Sequence, residues 1–432
     1  MHPRTLTLAA LLAAAAATVA ANDWPRWRGP NNDDVCTETG LLHDWPTGGP
    51  PLVWTANGLG TGYGTPSVAG GKVFGIGSRD GKDGVWAVKE SDGSPLWFTP
   101  FTPTASVASN TNGPSSTPTV HNGKVYAVSL GGTLVCLDAD SGRQVWAVDF
   151  VKQFFGGGRA VPNWGFNQSV LADGDKVVCA PGAARASVVA LRADTGEVIW
   201  KAEAGTPGGG YGYSSPIKAT VAGLPMYVAL LGQSSGLVGV HADTGKLLWQ
   251  YNKAAMGGTA QIPTPIVKGD RVWVSSAYSG GSALLQLVPQ GDRFSVKEIK
   301  TYRRELMNHH GGMVLVGDHI YFGHNQNAGN PVCVDFRTGE IVWGPEKYPT
   351  GASGSAAVLY ADGRLYFRYT NRKMVLIDPS PEGLKVVSSF DLPPPSHPQK
   401  RESWPHPVIA NGKLYIRDQE VMYCYNVKAE TN

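Results

Sequence analysis

The chain has 432 residues, long enough for two or three ordinary domains or for one large repeat architecture. Its 37 Lys and Arg against 34 Asp and Glu leave a formal charge of +3, which excludes the dense basic surface that nucleic-acid binding needs. Only 16% of residues are charged, while 55 glycines and 31 prolines speak for many short strands and tight turns, that is, for an all-β chain.

Residues 1–21 read as a secretory signal: His2 and Arg4 precede the apolar run LTLAALLAAAAATVA, and small residues suit cleavage after Ala20 or Ala21. The run is too short and too alanine-rich for a membrane helix, and no later stretch approaches the ~18 apolar residues that a span needs. Cys36 follows NDDV, well beyond the apolar run, so no lipid anchor is expected. The expected mature protein is exported, periplasmic or extracellular, and monomeric, with a lead-in at 22–50 and one domain over 51–432. Five cysteines, Cys36, Cys136, Cys179, Cys333 and Cys424, form no CxxC or CxxCH motif, which argues against covalent haem and against a zinc site of the usual spacing.

From residue 51 onward two periodicities run in parallel. Short turn units close on tryptophan: SDGSPLW at Trp97, ADSGRQVW at Trp146, RADTGEVIW at Trp200, HADTGKLLW at Trp249 and RTGEIVW at Trp343. A second marker, glycine before an apolar and usually aromatic strand, falls at Gly71, Gly123, Gly174, Gly223, Gly269, Gly317, Gly363 and Gly412. Both repeat about every 48 residues. Each repeat reads as four short strands separated by Asx-Gly turns. Eight such repeats predict an eight-bladed β-propeller of four-stranded antiparallel blades. The last repeat supplies three strands and then stops, so residues 51–56 (PLVWTA, with Trp54) are expected to form the outer strand of blade eight and close the ring.

The repeated tryptophan has a structural explanation. In the turn, Asp and Thr cap local backbone groups and Gly supplies positive φ, and the last strand aims the indole at a neighbouring blade. Burying one ring removes ~150–250 Å² from water, an upper value of ~4–6 kcal/mol. Ten residues before each tryptophan stand Ala87, Cys136, Ala190, Gly239 and Cys333, with Cys424 at the matching place in blade eight, all small enough to sit beneath a large ring. The docking set is therefore Trp54, Trp97, Trp146, Trp200, Trp249 and Trp343.

The pattern Ala-x-Asp-x-x-Thr-Gly-x-x-x-Trp resembles the tryptophan-docking motif of the pyrroloquinoline-quinone (PQQ) repeat propellers, a family that includes quinoprotein dehydrogenases and BamB-like assembly proteins. The likeness covers residues 51–427, although the motif's Asp survives only as Asp138 and Asp335. The lead-in DWPRWRGPNNDD also looks like that of secreted members of the family. The resemblance implies architecture. It implies a quinone cofactor only if the dehydrogenases' catalytic Asp, calcium-binding Glu and Asn, and adjacent-cysteine disulfide are present, and none of these maps onto a residue here.

Segments feeding the innermost strands should surround one mouth of the axial channel. They read GYGT, GPSS, NWGFNQS, YGYSS, AQIPT, MNHHGG, GASGS and SWPHP, and none contains Asp or Glu; Glu305 and Glu402 stand just outside. Glycoside hydrolysis needs two opposed carboxylates, and calcium needs hard oxygen ligands. The expected mouth is instead aromatic and neutral. Tyr63, Trp164, Tyr211, Tyr213 and Trp404 are placed to stack on a flat ligand or a peptide, with Asn167, Gln261, His309, His310 and His406 as hydrogen-bonding groups. The loop 323–330 (GHNQNAGN) reads as a solvent turn, and 392–403 as a stiff Pro-rich linker. The expected function is a non-catalytic binding or scaffolding propeller for a protein or saccharide, with no metal or other cofactor. The alternative is a PQQ-dependent oxidoreductase with atypical ligands.

Overall fold

The computed structural model describes residues 22–107, 113–157, 161–204, 210–232, 234–253, 259–310, 312–347, 351–394 and 404–430. The expected signal and most of the Pro-rich linker lie outside the described residues. The strands assemble into eight sheets, each built on the repeat expected from the sequence. Blade one holds Ser67–Ala69, Lys72–Arg79, Lys82–Lys89 and Pro95–Pro103, in that order from the inside outward. Blades two to seven follow over 119–149, 171–202, 217–251, 266–302, 313–343 and 356–391. Blade eight takes Val408–Ala410, Lys413–Asp418 and Val421–Asn426 from the end of the chain, and Leu52–Ala56 from near its start as the fourth strand.

Middle strands read as near-continuous apolar runs because both faces are covered by neighbouring blades. In blade two Val125 and Leu137 face blade one, whereas Tyr126 and Cys136 face blade three. Buried clusters occupy the gaps between successive blades around the whole ring, and the largest joins blades seven, eight and one with Trp24, Cys36, Leu41 and Trp45 of the lead-in.

The ten-residue offset between small residue and tryptophan is a register relation. Trp97 stands opposite Ala87, Trp146 opposite Cys136, Trp200 opposite Ala190, Trp249 opposite Gly239, Trp343 opposite Cys333 and Trp54 opposite Cys424, each beside a bulge in the outer strand. Indoles from one blade lie over the turn glycine of the next: Trp54 over Gly93, Trp97 over Gly142, Trp146 over Gly196 and Trp200 over Gly245. The Nε1 atoms of Trp54, Trp146 and Trp343 donate to carbonyls of the following blade, on Glu90 (3.0 Å), Ala193 (3.1 Å) and Ser380 (2.8 Å). Trp249 departs from the pattern, its Nε1 lying 3.3 Å from the Met226 sulfur of its own blade.

Two features depart from the repeat reading. A one-turn helix, Phe150–Phe155, follows blade two, capped by the Asp149 carboxylate on Lys152 N (3.1 Å) and ended by Gly156 at φ 64°. Blade seven gains a short fifth strand, Val35–Cys36, parallel to its innermost strand. The thiol of Cys36 is buried there 3.9 Å from Glu38 Oε1, and all five cysteines are buried and unpaired.

Candidate functional site

The mouth loops are fastened to one another by hydroxyl groups, which explains why most carry a Ser or Thr just before the inner strand. Ser169 Oγ accepts from Thr117 N, Ser215 Oγ from Ser169 N, Ser275 Oγ from Asn308 N and Thr65 Oγ1 from His406 N, at 2.8–2.9 Å. Three of these bonds tie one blade's loop to its neighbour's, and the one to Ser275 ties the loop of blade six to the end of blade five's second strand. In the third loop a turn at Gly165 presents Trp164 on one side and Phe166 on the other. A Cβ at Gly165 would lie 2.3 Å from Leu130 Cδ1, so only glycine fits this close approach.

Together these loops line an apolar cup with a cavity of about 160 Å³. Of the ten residues expected at the mouth, the structure brings eight together in its wall: Tyr63, Trp164, Asn167, Tyr213, His309, His310, Trp404 and His406. Tyr211 is not among them. Its ring packs on Phe166 (centroids 4.9 Å apart), and its hydroxyl accepts from the N–H groups of Asn167 (2.7 Å) and Gln168 (3.3 Å), so it holds up the loop that carries Trp164. Gln261 is also outside the lining: its side chain is buried, and its carbonyl accepts from Tyr213 N at 2.8 Å.

One wall is a continuous column of rings. Tyr278 meets His309 edge-on at 5.0 Å, His309 lies over His310 at 3.8 Å, His310 over Trp404 at 4.7 Å, and Trp404 against Tyr63 at 4.6 Å. Both nitrogens of His309 are engaged: Nδ1 donates to the carbonyl of Gln326 (2.7 Å), and Nε2 accepts from the Tyr278 hydroxyl (2.9 Å). The loop read as a plain solvent turn thus backs the site, through Gln326 and through His324 Nδ1, which accepts from Met307 N at 3.1 Å. Burial pushes His309 down to about 4 and His310 well below the ordinary imidazole value, the neighbouring imidazoles adding to the shift, so the column is neutral at pH 7. Stacked ring on ring, His309 and His310 do not aim their nitrogens at one point. Among the described residues no group of three or more His, Cys, Asp or Glu side chains is arranged to hold a metal.

The lead-in is the part of the site that the repeat pattern did not reveal. Trp24 pairs by backbone with Val68 of blade one, Pro25 O accepts from Val120 N of blade two (2.7 Å), and Arg26 Nη1 donates to Ala172 O of blade three (2.9 Å). Trp27 Nε1 then reaches Thr264 Oγ1 (3.0 Å), and Trp27 packs on His406 (4.5 Å) within the cup lining. Arg28, 1% exposed, donates to the Asp34 carboxylate at 2.6 Å and to the carbonyl of Met313 in blade six. Asp34 also approaches His406 Nδ1 at 3.5 Å. Asp34 is therefore a buried carboxylate beside the site that the reading of the mouth loops does not place. The mouth loops lack acids, but one carboxylate enters from the lead-in and is neutralised by a buried arginine. Among the described residues, no Asp, Glu, Lys or Arg lines the cup. Tyr278, from a loop between the second and third strands of blade five, also escapes the sequence reading, because it lies outside the segments that feed the innermost strands.

A family model described as outer membrane protein assembly factor BamB matches residues 81–344. No curated protein matches the chain. Among solved structures, BamB from Moraxella catarrhalis superposes with a TM-score of 0.54 at 14% identity, covering 82% of this chain and 96% of its own. A europium-containing methanol dehydrogenase gives 0.65 at 14% identity, covering 91% and 89%. Quinohemoprotein alcohol dehydrogenase from Comamonas testosteroni gives 0.64 at 14%, covering 96% and 82%. At this identity the likeness speaks for the fold alone, and it spans an assembly factor and two dehydrogenases. A metal-held quinone needs hard oxygen ligands and cations for its carboxylates. The described lining offers no charged oxygen ligand and no cation, and Asp34 is already paired with Arg28, so these residues do not fit that group.

Proposed function

This chain belongs to the family of the outer membrane protein assembly factor BamB, and from that premise we propose that it is a non-catalytic binding protein which holds a ligand or partner in the aromatic cup of its propeller. Export, with residues 1–21 as the removed signal, is part of the same reading. One observation carries it: the described cup wall consists of aromatic and aliphatic side chains, hydroxyls, an amide and imidazoles, of which His309 and His310 are held neutral by burial. General acid–base chemistry needs a group that exchanges a proton near working pH at the reacting atom. His309 has both nitrogens engaged and titrates far below that range, and among the described residues no carboxylate lines the wall. Shape and polarity are those of a preformed binding cleft.

The test is a titration of purified protein with PQQ, with and without calcium, in the presence of a reducible dye. The reading expects neither saturable uptake nor dye reduction. Saturable binding coupled to dye reduction makes the protein an oxidoreductase and defeats the reading.

A further inference from the structure

The chemistry of the cup narrows its ligand. An anion is disfavoured, because no Lys or Arg lines the described wall and Arg28 is occupied by Asp34 and backbone carbonyls. The wall is not purely apolar either. Asn167 Oδ1 and His310 Nδ1 have no hydrogen-bond partner and are shielded from water, so they meet a ligand only when its entry turns the Asn167 amide and the His310 ring toward the cup. Buried polar atoms of this kind are costly unless something bonds to them. A quaternary ammonium would suit the aromatic rings through cation–π attraction, but it carries no N–H or O–H to give to these two atoms. Trp164 and Tyr213 meet edge to face at 5.8 Å, forming a corner of the wall. A cavity of about 160 Å³ is of the size that accepts one six-membered ring.

We propose that the cup binds one neutral sugar residue of a saccharide, its C–H face against the aromatic wall and its hydroxyls donating to Asn167 Oδ1 and His310 Nδ1. A pyranose ring joins the two surfaces that the site presents, an apolar face and an edge of hydroxyls. Because no carboxylate stands in the described wall, the sugar is held and not cleaved. This assignment rests on the reading of the cup as a binding site and names its ligand class.

The test is tryptophan fluorescence of the full protein titrated with a panel of neutral methyl glycosides (gluco, galacto, manno, xylo and N-acetylglucosamino), with tetramethylammonium chloride and with PQQ. At least one neutral glycoside is expected to give a saturable change with Kd of roughly 0.1–10 mM, as befits a ligand of this size. Trp164→Ala and Asn167→Ala should each weaken it about tenfold or more, with melting temperatures showing that both variants are folded. A saturable response to tetramethylammonium alone, or no response to any glycoside, overturns the sugar assignment while leaving a non-catalytic role intact. A glycoside response unchanged in both variants overturns it as well. PQQ uptake with dye reduction overturns the binding-protein reading itself.

Discussion

Gly142 and Gly174 both adopt left-handed backbone, φ +70° and φ +61°, in turns of successive blades, but only Gly142 lies under an indole. An added Cβ at Gly142 would stand 2.6 Å from Cδ2 and 2.7 Å from Cε3 of Trp97, whereas at Gly174 nothing is within 4 Å. Alanine in left-handed conformation costs about 1 kcal/mol at either site. At Gly142 the ring must also be displaced from its seat, which adds about 2 kcal/mol as overpacking and lost contact. We therefore expect Gly174→Ala to cost about 1 kcal/mol and Gly142→Ala about 3 kcal/mol. With an unfolding entropy of about 2.1 cal/mol/K per residue, these correspond to melting-point drops of roughly 1 °C and 3–4 °C. Calorimetry of the two variants beside the parent decides the matter. Equal drops would mean that the indole over the turn glycine contributes nothing, and the account of the repeated tryptophan would fall.

Acid should loosen the mouth before the rest of the ring. An unfolded imidazole takes up a proton near pH 6.5, but folded His309 resists until about 4, so folding stability falls as pH drops through that window, by up to about 3 kcal/mol from this group. His309→Asn should flatten the melting-temperature profile between pH 7 and 4.5; parallel profiles would contradict the assignment. Burial raises the thiols of Cys36, Cys136 and Cys424 to about 12 and of Cys333 to about 11, and lifts Cys179 too. A thiol-titrating disulfide reagent at pH 8 should thus find no reactive cysteine in the native protein and five after denaturation. Tyr211→Phe removes the acceptor of two buried N–H groups and should cost about 1–3 kcal/mol in urea unfolding. A loss below 0.5 kcal/mol would show that the loop carrying Trp164 does not depend on that hydroxyl.

Periodic information was legible in the sequence, and non-periodic information was not. Eight glycine markers located eight blades, and the ten-residue offset from Cys136 to Trp146 anticipated a cross-strand pair. Mouth loops were found because each precedes an inner strand at a fixed place in its repeat. Trp27, Arg28 and Asp34 belong to no repeat, so spacing could not place them beneath the mouth, although two tryptophans and paired charges in a short segment without strand pattern signalled burial. Tyr211 misled for a different reason. An aromatic residue before an inner strand can turn its ring into the channel or into the gap between blades, and the choice depends on Phe166 across that gap.

The central claim, that ligand binds at the neutral aromatic mouth, is tested most directly by hydrogen–deuterium exchange of the full protein with and without the best-binding methyl glycoside. Slowed exchange confined to the backbone around Trp164–Ser169, Tyr211–Ser215, Leu306–His310 and Trp404–Pro407 is the predicted result. Slowed exchange confined to the outer strands, or to the turns over which the indoles lie, would contradict it.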